Sequence, residues 1–453
     1  VHIISHLLKD LYIHLLIKVK KMKNKFFKIR FPPEWGIEPV PENMKILRFI
    51  DISILWFSLA IGLLVIQAGA FLTMFPEYGG FGLNIFEAFL VSLVGSLIGS
   101  FILALVGFIG SKYGITSMVS LRPSFGLFGS YLPSILNVIQ LIGWTIFEFI
   151  IMGEAAISIS KEFIGPFTKY LWITFFAILV YLMTVYGPLI VVRRWLEKFA
   201  IWFAIIGGAF LTYQLLSIKS LTIQSSSNVQ FNTILLALDL VIAMPISWLP
   251  LVSDYNRFSK NTKEGFLGTF ISYTIANTWF YLIGAILAIA YPGQSITYSM
   301  ALVFFGLLAL LVILIDEPDN AFADVYSATL SIQNVFPKQK QWKIALIITI
   351  LSLILAYSIP IIQYEHFLLL IGASFVPIFG ILISDYFILN KSNYRKELFY
   401  KTNLKINLKA IVSWIVGFLT YYYFAYINII IGATIPSLII TLLFYSILNY
   451  FRR

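Results

Sequence analysis

Apolar stretches of about twenty residues recur along this chain from residue 49 to residue 450, and nothing else constrains its fold so tightly. Twelve are legible: Phe49–Phe75, Phe86–Ile109, Tyr131–Ala156, Leu171–Val191, Phe199–Leu216, Thr233–Val252, Phe266–Tyr291, Ser299–Ala328, Ile344–Ile362, Phe367–Ile388, Ile411–Tyr426 and Ile429–Tyr450. A helix rises 1.5 Å per residue, so about 20 residues cross the ~30 Å hydrocarbon core of a bilayer. Inside that core each backbone N–H and C=O needs a partner, and runs of this length find one only as helices. Composition agrees, because only 12% of the 453 residues are charged, about half the share of a soluble domain. The expectation is an all-α integral membrane protein of about twelve transmembrane helices. Residues 1–48 would form a basic N-terminal tail, 49–388 a ten-helix core and 389–453 two extra helices.

The formal net charge is +11, and its distribution decides what it means. With the N-terminal tail placed inside, twenty-nine of the thirty-two Lys and Arg residues fall on the inner side. Only Lys161, Lys169 and Lys219 fall outside. Cytoplasmic loops carry such an excess of basic residues. The charge therefore reads as a topology signal for a plasma-membrane protein with both ends cytoplasmic, and nucleic-acid binding is not expected.

The chain has no cysteine and four histidines, His2, His6, His14 and His366. Disulfides and thiol chemistry are excluded, and no metal cluster is expected. No nucleophile–base pair is legible either, so neither an enzyme nor an organic cofactor is expected. Leu11–Ile17 is too short to span, and no small-residue cleavage site follows it, so it does not read as a signal peptide. Met22, downstream of a first residue Val1, suggests a later start of translation.

Away from the segment ends the charged residues are few and all acidic: Glu148 and Glu154 in segment 3, Asp239 in segment 6, and Asp316, Glu317, Asp319 and Asp324 in segment 8. Each costs at least about 2.5–3.5 kcal/mol at the membrane centre. No Lys or Arg lies at their depth, so they must be protonated, solvated or paired with a cation, and each alternative suits transport. Gln140, Trp144 and Glu148 share a stripe at spacing four, as do Asp316, Asn320 and Asp324. Glu154 lies off its stripe near a helix end and reads as solvated. Part of the segment 8 run, Asp316 and Glu317 above all, also reads as the solvated end of a shorter helix.

Pro245 and Pro250 flank Ser247 and Trp248 in segment 6 and should interrupt it. Segment 1 has a matching flexible position at Ala60-Ile61-Gly62. Segments 1 and 6 are five apart, as are the acidic segments 3 and 8, which is the pattern of an inverted five-plus-five repeat with paired discontinuous helices.

These residues carry a resemblance. Trp35-Gly36-Ile37-Glu38-Pro39, the loop Tyr113-Gly114-Ile115 with Arg122-Pro123-Ser124-Phe125-Gly126, and Asp254-Tyr255-Asn256-Arg257-Phe258 resemble motifs of the nucleobase–cation symporter family. Gly143-Trp144 with Phe147-Glu148, and Ser247-Trp248-Leu249-Pro250, are most similar to its cytosine and hydroxymethylpyrimidine permeases. The resemblance implies a LeuT-type fold, with ten core helices in two inverted repeats plus two extra helices. It also implies a mid-membrane site for a small planar substrate between helices 1, 3, 6 and 8. Trp144 falls where the family stacks its substrate ring, and Trp248 lies about three residues from the family's second Trp. Glu148 and Asp324 stand where the family has amides, so the site offers acceptors only, suited to an amine-bearing ring. The family's Ser-Thr pair at its sodium site falls on Pro318-Asp319. This leaves open whether Asp319, with Ala60 and Gly62, holds Na+ or whether H+ is the coupling ion. The alternative reading is a LeuT-fold transporter of an amino acid, or of another amine or heterocycle such as allantoin or hydantoin.

Overall fold

The structure, a computed structural model, describes residues 36–164, 168–217, 229–303, 306–358 and 364–450. Most of the expected tail, Trp35, Lys219 and the side chains of Lys161 and all four histidines lie outside what the structure describes. Among the described residues β-pairing is confined to one isolated bridge between Leu47 and Ser259; everything else regular is helical.

Seven helices are long and apolar enough to span by themselves, and a bent pair, Phe49–Ser58 with Leu63–Thr73, makes another span. Three shorter apolar helices (Phe231–Ser247, Gln341–Ala356 and Thr434–Tyr450) and the composite Gly306–Asp316 with Pro318–Val335 bring the described residues to the expected twelve. In chain order these are helix 1 (the bent pair), helix 2 (Ile85–Tyr113), helix 3 (Tyr131–Ile164), helix 4 (Thr168–Tyr186) and helix 5 (Pro188–Leu216). Helix 6 is Phe231–Ser247 followed by the short Val252–Asn256, and helix 7 is Thr262–Ala290. Helix 8 is the composite, helix 9 Gln341–Ala356, helix 10 Leu370–Leu389, helix 11 Leu408–Ile427 and helix 12 Thr434–Tyr450. The eighth apolar segment was placed too early: Ile296–Leu302 is a separate short helix, and helix 8 runs on to Val335.

Local chemistry sets the ends. Asn84 and Glu87 form a reciprocal capping box at the start of helix 2, each side chain accepting the other's backbone N–H at 2.9 Å. Asn261 caps helix 7 through Glu264 N–H, while Glu264 also accepts Phe49 N–H at 2.9 Å, tying the first turns of helices 7 and 1 together.

Packing shows the repeat directly. Helix 1 packs on helix 7 and helix 6 on helix 2; helix 4 packs on 8 and helix 9 on 3; helix 5 packs on 8 and helix 10 on 3. Each contact has a counterpart five helices on, while pairs 2–7 and 3–8 map onto themselves. Small residues let the backbones approach. A Cβ on Gly69 would collide with the Tyr281 backbone, and one on Gly284 with the Ile66 carbonyl.

Helices 11 and 12 pack on each other and on helix 10. Asp239 of helix 6 accepts Ala433 N–H at 2.9 Å and Thr434 N–H at 3.0 Å, so this intramembrane acid is an N-cap supplied to helix 12 by another helix.

Because Gly284 faces backbone rather than a movable side chain, Gly284→Val should destabilise the purified protein by about 1–3 kcal/mol of overpacking. Thermal unfolding in detergent reads this as a lowered midpoint; an unchanged midpoint would contradict the close approach of helices 1 and 7.

Candidate functional site

Two interrupted helices build the site. Helix 1 stops at Ser58 and resumes at Leu63, with Gly62 at φ +144°, a backbone conformation that suits glycine. Helix 6 runs through Pro245 to Ser247, turns at Trp248–Leu251 and resumes at Val252. Pro245 has no N–H to give Val241, and the Ser247 hydroxyl takes up the Met244 carbonyl at 2.7 Å.

Helices 3 and 8 close the space between the breaks. In this conformation the cavity is narrow, with a volume of about 30 Å³. Trp144, Glu148, Ser247, Trp248, Asn320 and Asp324, each singled out in the sequence, line it together with Gly62. Trp144 packs edge-on against Phe367, with centroids 5.8 Å apart. Trp248 meets Trp56 edge-on at 6.0 Å and 89°, and Trp56 is fixed by donating Nε1–H to Asn256 at 2.7 Å.

Three expected residues fall elsewhere. Gln140 is buried outside the cavity and donates to Asn137 at 2.6 Å; Asn137 in turn reaches Ser331 at 2.8 Å. Ala60 is buried in the helix 1 break without lining the cavity, and Asp319 lies fully buried behind it, neither oxygen having a hydrogen-bond partner. Asp316 accepts the Ser58 hydroxyl at 2.7 Å. Glu154 is partly exposed and pairs with Lys169 at 3.5 Å, as its position suggested.

The solvated-end reading of Asp316 and Glu317 does not hold, since both are buried. Glu317 lines the cavity with Met244, and neither was chosen as a site residue. Both Glu317 oxygens face the Leu63 N–H, at 3.1 and 3.2 Å, capping the restart of helix 1. Asn320 beside it donates to the Ile61 carbonyl at 3.1 Å. Glu317 also meets Glu148 side chain to side chain across the cavity.

Helix geometry accounts for the placement of Gln140 and Asp316. At about 100° per residue, a spacing of four drifts about 40° per step. Over eight residues the ends of each stripe diverge by about 80°, carrying Gln140 and Asp316 off the cavity face. Glu317 and Asp324, seven residues apart, lie within about 20° of each other, and Asn320 between them brings the spread to about 60°; that spacing was the available signal.

Beyond the helix 6 break, the motif of residues 254–258 ties several elements together. Asp254 accepts Ser117 N–H at 2.8 Å, Tyr255 donates to the Ala323 carbonyl at 2.9 Å, and Arg257 donates to Tyr326 and to the Gly36 carbonyl, both at 2.7 Å. In the loop before helix 3, Arg122 reaches Asn334 at 3.0 Å and the Phe399 carbonyl at 2.9 Å. Burial pulls its guanidinium pKa down from the ordinary value, against the raising influence of Tyr400, Tyr131 and Glu38. Residues 36–47 dock here too, through Val40 N–H to Gly114 and Leu47 N–H to Phe258.

Comparison with known proteins follows the same lines. The family of permeases for cytosine/purines, uracil, thiamine and allantoin matches residues 39–444. The cytosine permease of Escherichia coli K12 is 27% identical over 352 residues, covering 75% of this chain and 78% of the relative. The solved structure of Mhp1, a nucleobase-cation-symport-1 family transporter in a closed conformation with bromovinylhydantoin bound, superposes with TM-score 0.77 at 18% identity, covering 93% of this chain and 95% of that one. A Na+-coupled sialic acid symporter superposes with TM-score 0.64 at 12% identity over 93% of this chain and 91% of that one. These likenesses show the LeuT-type fold.

A Cβ on Gly62 would stand 3.1 Å from Asn320 Nδ2 and 3.2 Å from both Glu317 oxygens, at a φ other residues avoid. Gly62→Ala should therefore abolish ligand-induced stabilisation while leaving membrane insertion intact. Thermal shifts with and without ligand check this, and an unaltered ligand response would remove the helix 1 break from the site.

Proposed function

The chain belongs to the family of permeases for cytosine/purines, uracil, thiamine and allantoin, transporters rather than enzymes, and from that premise we propose that it imports a nucleobase or related aminopyrimidine by cation symport. The substrate class would be a flat, amine-bearing ring such as cytosine, a purine or hydroxymethylpyrimidine. The observation that carries this reading is the cavity lining: two indoles, three carboxyl groups and no basic residue, between two interrupted helices. In this reading Trp144 and Trp248 offer flat faces to the ring, Glu148 and Asp324 accept from its amine and ring N–H groups, and Asn320 and Ser247 supply neutral polar contacts. Gln140, held by Asn137 outside the lining, would act on the site only indirectly.

Coupling is assigned to Asp319 with the backbone of Ala60 and Gly62. Support comes from the two buried Asp319 oxygens without hydrogen-bond partners, which a cation or a proton would satisfy; Na+ and H+ both remain candidates. The distribution of Lys and Arg supports a plasma-membrane protein with both termini in the cytoplasm. In that orientation the Arg122 and Arg257 contacts lie on the cytoplasmic side, and alternating access requires them to separate.

An amino-acid substrate fits less well. In transporters with broken helices the positive N-terminal end of a half-helix commonly takes the substrate's carboxylate. Here Glu317 already occupies the Leu63 amide.

Uptake of labelled cytosine, adenine, hydroxymethylpyrimidine and hydantoin into proteoliposomes, with imposed Na+ or H+ gradients, tests the proposal. At least one amine-bearing ring should accumulate under one gradient, and uptake of none would refute it. Trp144→Ala and Glu148→Gln should each reduce uptake at least tenfold with unchanged insertion. Normal transport by both would overturn the site assignment. A Na+ requirement lost in Asp319→Asn would identify the coupling residue.

A further inference from the structure

We propose that the cavity selects a cationic heteroaromatic ring, protonated or permanently charged, held by Glu148, Glu317 and Asp324 between the Trp144 and Trp248 indoles. The inference rests on the reading of the cavity as a site for a planar amine-bearing ring and narrows that reading by charge.

Three observations meet here. The three carboxyl groups line the cavity and no Lys, Arg or His does. The two ion pairs identified among the described residues, Lys45–Glu42 and Lys169–Glu154, involve none of the lining residues. Second, the buried side-chain atoms of the lining that lack a hydrogen-bond partner are acceptors. One oxygen of Glu148 (6% exposed) and Oδ1 of Asn320 (5% exposed) are buried without a partner. Asn320 has already spent a donor on the Ile61 carbonyl.

Third, Glu317 is committed in a way that fixes the sign of the site. Its carboxylate sits on the Leu63 N–H, where the helix end contributes roughly half a positive charge. That fraction offsets part of one carboxylate; Glu148 meets only the Glu317 carboxyl, with one oxygen left without a partner, and no basic group stands beside Asp324 in the lining. A half-helix end that would otherwise attract an anion is thereby converted to a site for a cation. A charged ring supplies what is missing at once: charge-assisted donors for the free oxygens and a positive π-system for the indole faces, a contact strengthened by desolvation. A neutral ring supplies donors without the charge.

Two flat probes of the same outline separate charge from shape. 4-Amino-1-methylpyridinium is permanently cationic, whereas p-toluidine is neutral at pH 7.5. With the purified full-length protein at that pH, the cation should give half-maximal thermal stabilisation at a concentration at least tenfold below that of p-toluidine. Glu148→Gln and Glu317→Gln should each cut this preference to under threefold. Equal or tighter binding of p-toluidine to the unaltered protein overturns the proposal without reference to any variant. So does a cation preference that survives in both variants. Uptake of neutral cytosine that the cation does not inhibit would overturn the charge selection and leave the permease reading standing. Absence of uptake of every amine-bearing ring, charged or neutral, would instead overturn the permease reading.

Discussion

A helix that breaks inside a bilayer leaves backbone groups without partners, and no water reaches them from the lipid side. In this protein the partners are side chains of other helices. Glu317 accepts the Leu63 amide, Asn320 donates to the Ile61 carbonyl, Asn137 donates to the Pro250 carbonyl and Trp56 is held by Asn256. Helix 8 therefore stabilises the break in helix 1, and helix 3 that in helix 6. Two of these groups, Glu317 and Asn320, also line the cavity. Groups that make the broken helices possible are thus among those the proposed substrate would touch, which would link binding to the geometry of the breaks.

Buried acids in this membrane interior fall into two kinds, and hydrogen-bond accounting tells them apart. Asp239 has each oxygen satisfied by a backbone N–H at the start of helix 12; its charge is matched by a helix end and it behaves as a cap. Asp319 has neither oxygen satisfied, and Glu148 lacks a partner for one. An acid of the first kind stabilises the fold. An acid of the second kind costs stability until something binds, which is why sites for ligands or coupling ions are sought there.

Much of this was legible before any coordinates. Apolar segment length set twelve helices, prolines 245 and 250 marked the break in helix 6, and Trp144, Glu148, Trp248, Asn320 and Asp324 do meet in one cavity. Helix 8 was misplaced at its start because Ile296–Leu302 is apolar enough to read as part of it. Glu317 was undervalued because an acid beside a proline resembles a helix end, and pairwise spacing of four hides the drift that accumulates over two steps.

Composition, segment length and Lys/Arg placement are properties summed over many residues. They survive small errors in register, which is why they settle class and helix number and carry the expected topology. What a particular carboxyl group faces depends on tens of degrees of rotation about one helix axis and on which helix lies opposite. Gln140 and Glu148 differ by two such steps and end in different surroundings. Asp239 and Asp324 are both acids within membrane-spanning helices, yet one meets the amides of helix 12 and the other lines the cavity. That difference is made by packing between segments far apart in the chain, and no local pattern of residues encodes it.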